Sequence, residues 1–112
     1  MIEASEGNCA LVIAGLSRLE DGAAAELTPR DLIENVVIKI ADEVEVDVST
    51  RAWKVAYEDA IGTAAEITID GVRIPYLGLD MLIASKETYR EQDRIDVLLL
   101  LELKARRDEN DA

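Results

Sequence analysis

The chain has 112 residues, enough for one hydrophobic core and too few for two ordinary domains, so we expect a single globular domain over residues 1–112. Its 24 acidic and 12 basic residues give a net charge of −12, which argues against nucleic acid as a bulk partner. The chain has no histidine and one cysteine, which excludes histidine chemistry and an internal disulfide. No run of about 18 apolar residues and no secretory signal is recognisable, so we expect no membrane partner and a cytoplasmic location.

The N-terminal third predicts two helices. Ser5 followed by Glu6 is typical of a helix N-cap with an acid in the first turn, and Thr28 before Pro29 is typical of a second helix start. The first helix is expected to carry one apolar stripe. The stripe comprises Cys9, Val12, Ile13, Leu16 and Leu19. This position favours Cys9 as a small core residue over a nucleophile.

A period of two over residues 36–48 predicts a β-hairpin with valines and isoleucines on one face. The acids of its second strand, Glu43, Glu45 and Asp47, would then share the opposite face. Such a row is compatible with a solvated strand face or with carboxylate ligands for Mg²⁺.

Residues 67–74 predict a second hairpin, because Asp70-Gly71 favours a two-residue turn between alternating apolar residues. Pro75 is expected to close it, since proline cannot donate to the ladder. Between the hairpins we expect a turn and a short helix with Trp53 and Tyr57 one helical turn apart. These two aromatic residues would serve in packing or as a platform for a base.

The C-terminal third predicts helices over residues 79–89 and 91–107, followed by a polar, frayed tail over residues 108–112. In the first of these helices Lys86 and Arg90 continue the apolar stripe, where they could pair with Asp93 and Asp96 of the next. The alternatives are an ion-paired contact between helices and a pair of cations that faces phosphate. The apolar run within residues 95–103 predicts burial on more than one face or an interface.

These features together resemble the bacterial nucleotidyltransferase fold of the minimal or antitoxin-like kind. The likeness is carried by residues 67–101, ITIDGVRIPYLGLDMLIASKETYREQDRIDVLLLL, and by the first hairpin. It implies an α+β fold in which a mixed β-sheet of two hairpins is flanked by helices, as in the C-terminal two-thirds of that family. It also implies roles for individual residues: Asp47 as a metal ligand, Lys86 and Arg90 on phosphate, and Asp93 and Asp96 as their support.

The departure from the family concerns its active site. The family's Gly-Ser segment for triphosphate and its Asp-x-Asp strand for metal are absent, and Glu3 does not align with either aspartate. We therefore expect an incomplete, N-terminally shortened domain that binds Mg²⁺ weakly at most and is non-catalytic as it stands. A complete form would transfer a nucleoside monophosphate from a nucleoside triphosphate to a hydroxyl.

Two alternatives belong to other classes. The chain could be a non-enzymatic interaction module, antitoxin-like or homodimerising, whose residues 95–103 contact a second copy or another protein. It could also be an unrelated α+β domain that shares only the ion-paired cluster.

Overall fold

A computed structural model describes residues 1–111, with side chains through residue 110. The α+β class predicted from the sequence is confirmed, since helices and two-stranded antiparallel hairpins both occur. The chain divides into two compact units, Met1–Ala52 and Trp53–Ala112, each described by itself below. The elements in chain order are α1 Glu6–Leu16, a 3₁₀ helix Ala23–Glu26, α2 Pro29–Glu34, β1 Val37–Ala41, β2 Glu45–Ser49, β3 Arg51–Ala52, β4 Val55–Ala56, α3 Tyr57–Ile61, β5 Ala65–Ile69, β6 Val72–Tyr76, α4 Leu79–Ser85 and α5 Glu91–Asp111.

Both predicted N-caps of the first unit are present. The Ser5 side chain accepts a hydrogen bond from the backbone N–H of Asn8, and Thr28 forms a reciprocal capping box with Asp31. Helix α1 ends at Leu16, so Leu19 lies beyond the helix that was predicted to include it. Beyond the helix the hydrogen bonds shorten to three residues, because the backbone N–H groups of Arg18 and Leu19 donate to the carbonyls of Gly15 and Leu16, both at 3.2 Å.

The core of the first unit forms where α1, α2 and the first hairpin meet. The register of β1 and β2 places Ile38 opposite Val48 and Ile40 opposite Val46, on the face that the alternation predicted. The residues of this core share near-complete burial. They are Cys9, Ala24, Leu32, Ile40 and Val48. Cys9 is therefore a core residue, and burial, with a smaller contribution from Glu3, raises the pKa of its thiol and lowers its reactivity.

The second hairpin, β5–β6, has the predicted two-residue turn. Asp70 and Gly71 have φ values of 51° and 78°, the positive values that a type I′ turn requires. Pro75 does not close the hairpin, because β6 continues to Tyr76 with Pro75 opposite Glu66. Both strands are sheet edges, where a proline without an N–H is tolerated.

Helices α4 and α5 of the second unit differ in length from the prediction. Helix α4 ends at Ser85 instead of residue 89, and α5 continues to Asp111 through most of the segment expected to be a frayed polar tail. Ala112, the last residue of that segment, lies outside the described residues. Among the residues described, no helix is both long enough and apolar enough to cross a membrane.

Candidate functional site

Four of the five residues predicted from the sequence to form a site lie in the turn between α4 and α5 or in the first two turns of α5. Lys86 is the C-cap of α4, where its backbone N–H donates to the carbonyl of Ile83 at 3.0 Å. The prediction that Lys86 and Arg90 lie on one continuous helix is wrong, because residues 87–90 form a turn. Thr88 stabilises this turn by accepting a hydrogen bond from the backbone N–H of Arg90 at 3.1 Å.

Side chains of this turn and of the first two turns of α5 form an ion-paired cluster, which we call the α4–α5 clasp: Lys86, Thr88, Arg90, Asp93 and Asp96. Lys86 Nζ donates to Asp96 Oδ2 at 2.8 Å and lies 4.0 Å from Asp93 Oδ1. Arg90 Nε lies 3.8 Å from Asp93 Oδ2. The pairing of two cations with two aspartates was predicted, but the contact of Arg90 is a single long approach and not a two-pronged one.

Asp93 is the central acceptor of the clasp. The residue is only 9% exposed, and Thr88 Oγ1 donates to its Oδ2 at 2.6 Å. A buried carboxylate requires such partners, because an unpaired charge away from water is costly. The role of Thr88 was not predicted from the sequence, because the predicted cluster comprised charged residues alone.

Asp96 is held in its charged form by two donors. Hydrogen bonds from Lys86 and then from Gln92 keep the pKa of its carboxyl below the ordinary aspartate value. Lys86 is thus already engaged with protein carboxylates, and its side chain is only 31% exposed. The clasp is well suited to fixing the angle between two helices.

A second ion pair joins the same two helices at the other end of α4. Lys104 Nζ lies 2.7 Å from Asp80 Oδ1, and this hydrogen bond and charge lower the pKa of the Asp80 carboxyl. Position 80 pairs with 104 while 86 pairs with 96, so the two helices run in opposite directions. This pair was not predicted from the sequence, since its partners are 24 positions apart.

Asp47, the predicted metal ligand, lies on β2 of the first unit. Its side chain is on the exposed face of the hairpin, directly opposite Lys39. In residues 1–111 no three histidine, cysteine, aspartate or glutamate side chains converge to hold a metal ion. The residues around Asp47 therefore do not fit Mg²⁺ by themselves.

The acids that precede Asp47 were only partly placed by the sequence. Glu45 lies on the exposed strand face, as predicted, but Glu43 lies in the bend before β2, where its carboxylate accepts from the backbone N–H of Glu20 at 3.1 Å. The neighbouring Asp42 accepts from the backbone N–H groups of Asp21 and Ala23, both at 2.8 Å. These two acids connect the β1–β2 bend to the segment after α1.

The Asp42 carboxylate was missed in the sequence because its function is to accept backbone hydrogen bonds. Desolvation opposes its ionisation, but hydrogen bonds from the backbones of Ala23, Asp21 and Glu43 outweigh it and lower the pKa. An aspartate at a bend commonly accepts hydrogen bonds from backbone N–H groups, so its residue type was the feature of the sequence that could have predicted this role.

The aromatic residues are not arranged as predicted. Trp53 lies in the turn before β4 with φ of 56°, and Tyr57 begins α3, so the two are not one helical turn apart. Trp53 instead packs edge to face against Tyr89, with ring centroids 6.2 Å apart. A positive φ is uncommon for a residue other than glycine, and the packing of Trp53 against Tyr89 stabilises this backbone conformation locally.

The outer face of α5 is apolar and exposed. We use this name for Ile95, Leu98, Leu99 and Leu103, whose exposed fractions lie between 46% and 69%. Helical spacing puts Ile95, Leu98 and Leu99 on the side away from Asp93 and Lys104, which contact the α4 region, and puts Leu103 at the edge of this face. A shallow groove on this face is lined by Leu99, Glu102, Leu103 and Arg106.

Comparisons with known proteins identify no relative: no family model, no curated protein and no solved structure matches the chain.

Proposed function

We propose that the chain is a non-enzymatic interaction module that associates with a second copy of itself through the outer face of α5. The observation that carries this proposal is the exposure of four large aliphatic side chains on one side of one helix. A group of exposed large aliphatic side chains on a protein with a net charge of −12 is a typical feature of an interaction surface.

The arrangement of the charged groups supports association over catalysis. In the described residues no acid cluster is available for a metal ion, and the clasp carboxylates already engage Lys86. Two-metal transfer requires cations held between several carboxylates and phosphate oxygens, so we assign no chemical step to this chain.

The energy available from the outer face is modest. Fully burying a leucine stabilises by about 1.5–3 kcal/mol, so covering these half-exposed side chains contributes about 1 kcal/mol each. Four side chains from each of two copies then give roughly 8 kcal/mol, against an association cost of about 4–15 kcal/mol. We therefore expect a weak, reversible dimer that forms at high protein concentration.

Sedimentation equilibrium over a wide concentration range tests the proposal. We expect the average mass of the protein to rise with concentration, and Leu99→Asp to remain monomeric because it places a charge in the middle of the face. Leu11→Asp is the matched control, since Leu11 is 74% exposed on α1 and lies outside the face. A wild-type protein that is monomeric throughout, or two variants that behave alike, would contradict self-association through α5.

Nucleotide binding is the second candidate function, and one observation favours it. The Arg90 side chain is 69% exposed and only weakly engaged by Asp93, so its guanidinium is accessible to a phosphate. Under this hypothesis the chain is nucleotidyltransferase-like, and Lys86 assists Arg90 weakly from the same cluster. Titration calorimetry with Mg²⁺ and ATP should then show heat that Arg90→Ala abolishes and Arg30→Ala, at an 82% exposed side chain, does not.

A further inference from the structure

The groove on α5 has the residue spacing of a hole that receives one side chain of another helix. Its lining residues, Leu99, Glu102, Leu103 and Arg106, occupy positions i, i+3, i+4 and i+7 of a helix. Four residues at this spacing form the hole that receives a knob residue in helix–helix packing. The groove therefore specifies the chemistry of its occupant as an apolar side chain carried by a helix.

We propose that the occupant is Ile95 of a second copy, and that the two α5 helices pair antiparallel; this inference rests on the self-association proposed above. Ile95 lies on the same outer face as the groove, and its side chain is 46% exposed. In a twofold dimer each copy donates its Ile95 and receives that of its partner, so both holes are filled at once.

The position of the groove along the helix fits Ile95 of an antiparallel partner. The mean of the four lining positions is about 102.5, some seven residues beyond Ile95. A symmetric parallel pair would align Ile95 with Ile95 and fill the groove with Leu103 of the partner instead. An antiparallel pair centred between Leu98 and Leu99 places Ile95 over the groove and brings those leucines together at the centre.

The charges of α5 are complementary in the same arrangement. About 7.5 positions from the centre lie Glu91 on one side and Arg106 on the other, so each glutamate would face an arginine of the partner. Arg106 already contacts Glu102 of its own helix at 2.7 Å, but its side chain is 72% exposed and a guanidinium has further donors. A parallel pair would instead oppose like charges at both ends, and only the antiparallel pair aligns the helix dipoles favourably.

Cysteine cross-linking tests the direction of pairing. Single variants Glu91→Cys and Arg106→Cys are oxidised separately and as a mixture, and the products are separated by mass. The native Cys9 is fully buried, so it is left unchanged in both variants. In the antiparallel dimer two copies of position 91 are about 22 Å apart, far beyond disulfide reach, whereas positions 91 and 106 are adjacent. We expect the mixed product to exceed either homodimer severalfold, because only the mixed pair lies within disulfide reach.

The outcomes separate this inference from the function on which it rests. Efficient homodimers of Glu91→Cys would overturn the antiparallel arrangement and leave self-association intact. Absence of any cross-link in a protein that sediments as a dimer would overturn it as well. A protein that is monomeric in sedimentation would remove the proposed function itself.

Charge exchange gives a second readout with exposed residues only. Glu91→Arg and Arg106→Glu should each weaken the dimer severalfold, and the double variant should recover it, because the opposed pair is restored with reversed sign. In a parallel dimer position 91 faces position 91 and position 106 faces position 106, so each substitution replaces one pair of like charges by another. Unchanged association in both single variants would therefore overturn the inference. Melting temperatures of all variants establish that each one folds.

Discussion

Lys86 Nζ lies 2.8 Å from Asp96 Oδ2, although Lys86 caps the end of α4 and Asp96 lies in the second turn of α5. This contact joins the two helices across the turn, and the Asp80–Lys104 pair joins them again at the other end of α4. The second unit is thus held by polar contacts at two separate levels of its helix pair.

The Lys86–Asp96 contact predicts a dependence of stability on pH. The pKa of Asp96 is lower in the folded protein than in the unfolded chain. Its stabilising contribution is therefore fully present above the ordinary aspartate pKa of about 3.9 and is lost as pH falls below it, through the lower folded value. Asp96→Asn should lower the melting temperature by on the order of 1–5 °C near pH 7, and the difference should shrink towards pH 3. Thermal unfolding followed by circular dichroism measures both.

The exposed Glu87 carboxylate of the same turn provides the control for this experiment. Glu87→Gln should leave the melting temperature nearly unchanged at both pH values. A deficit of Asp96→Asn that is equal at pH 7 and pH 3 would refute the link to the ionisation of Asp96.

The hydroxyl of Thr88 is predicted to stabilise the second unit. Thr88→Val removes the donor that lies 2.6 Å from the buried Asp93 carboxylate, while it keeps nearly the same side-chain shape. We expect a loss of about 1–3 kcal/mol in the free energy of unfolding, because a buried acceptor then lacks a partner. Thr68→Val, at an exposed position of β5, should change it by less than about 0.5 kcal/mol. Urea denaturation of both variants measures the difference, and equal effects would contradict a specific role for Thr88.

Asp42 is predicted to connect the β1–β2 bend to the segment after α1. Asp42→Ala removes an acceptor for the backbone N–H groups of Asp21, Ala23 and Glu43 and should lower the melting temperature on the order of 5 °C. Asp47→Ala removes the same charge from the same hairpin at an exposed site and should have little effect. Because the pKa of Asp42 is lowered by folding, its contribution should be lost as pH falls below about 3.9. A larger effect of Asp47→Ala than of Asp42→Ala would refute this assignment.

Alanine substitutions at two glycines should have opposite effects on stability, and the first of them tests the turn of the second hairpin. Gly71 has φ of 78°, so Gly71→Ala should destabilise by about 1–2 kcal/mol. Gly7 lies in α1, where an added Cβ meets nothing within 4 Å, so Gly7→Ala should stabilise by about 0.5–1 kcal/mol. Chemical denaturation of the two variants should therefore give shifts of opposite sign, and shifts of the same sign would contradict one of the two backbone arguments.

The elements that the sequence predicted well are those encoded by local patterns. Alternating apolar residues, the Asp70-Gly71 turn and the caps at Ser5 and Thr28 depend only on near neighbours, so both hairpins and the helix starts were predicted. Helix ends were predicted less well. Helix α4 stops at Ser85 because Thr88 and the following backbone form a turn that competes with the helix.

The candidate site was predicted where charge and spacing specify partners. The two aspartates and two cations of the clasp lie within eleven positions of one another, which made their pairing visible. Asp42 and Lys104 were missed because their partners are distant in the chain or are backbone groups of any residue type. The assignment of Asp47 to a metal site depended on resemblance, and the exposed strand face around it supplies no further ligand.

The register of the β5–β6 hairpin has a consequence for the order in which this protein folds. Each pair from Ala65 and Tyr76 to Ile69 and Val72 joins residues fewer than twelve positions apart, around a turn whose dihedral angles suit its two residues. Closing such short loops costs little chain entropy, and hairpins of this kind form in about 1–10 μs. We expect this hairpin to form before the more distant contact of Asp80 with Lys104.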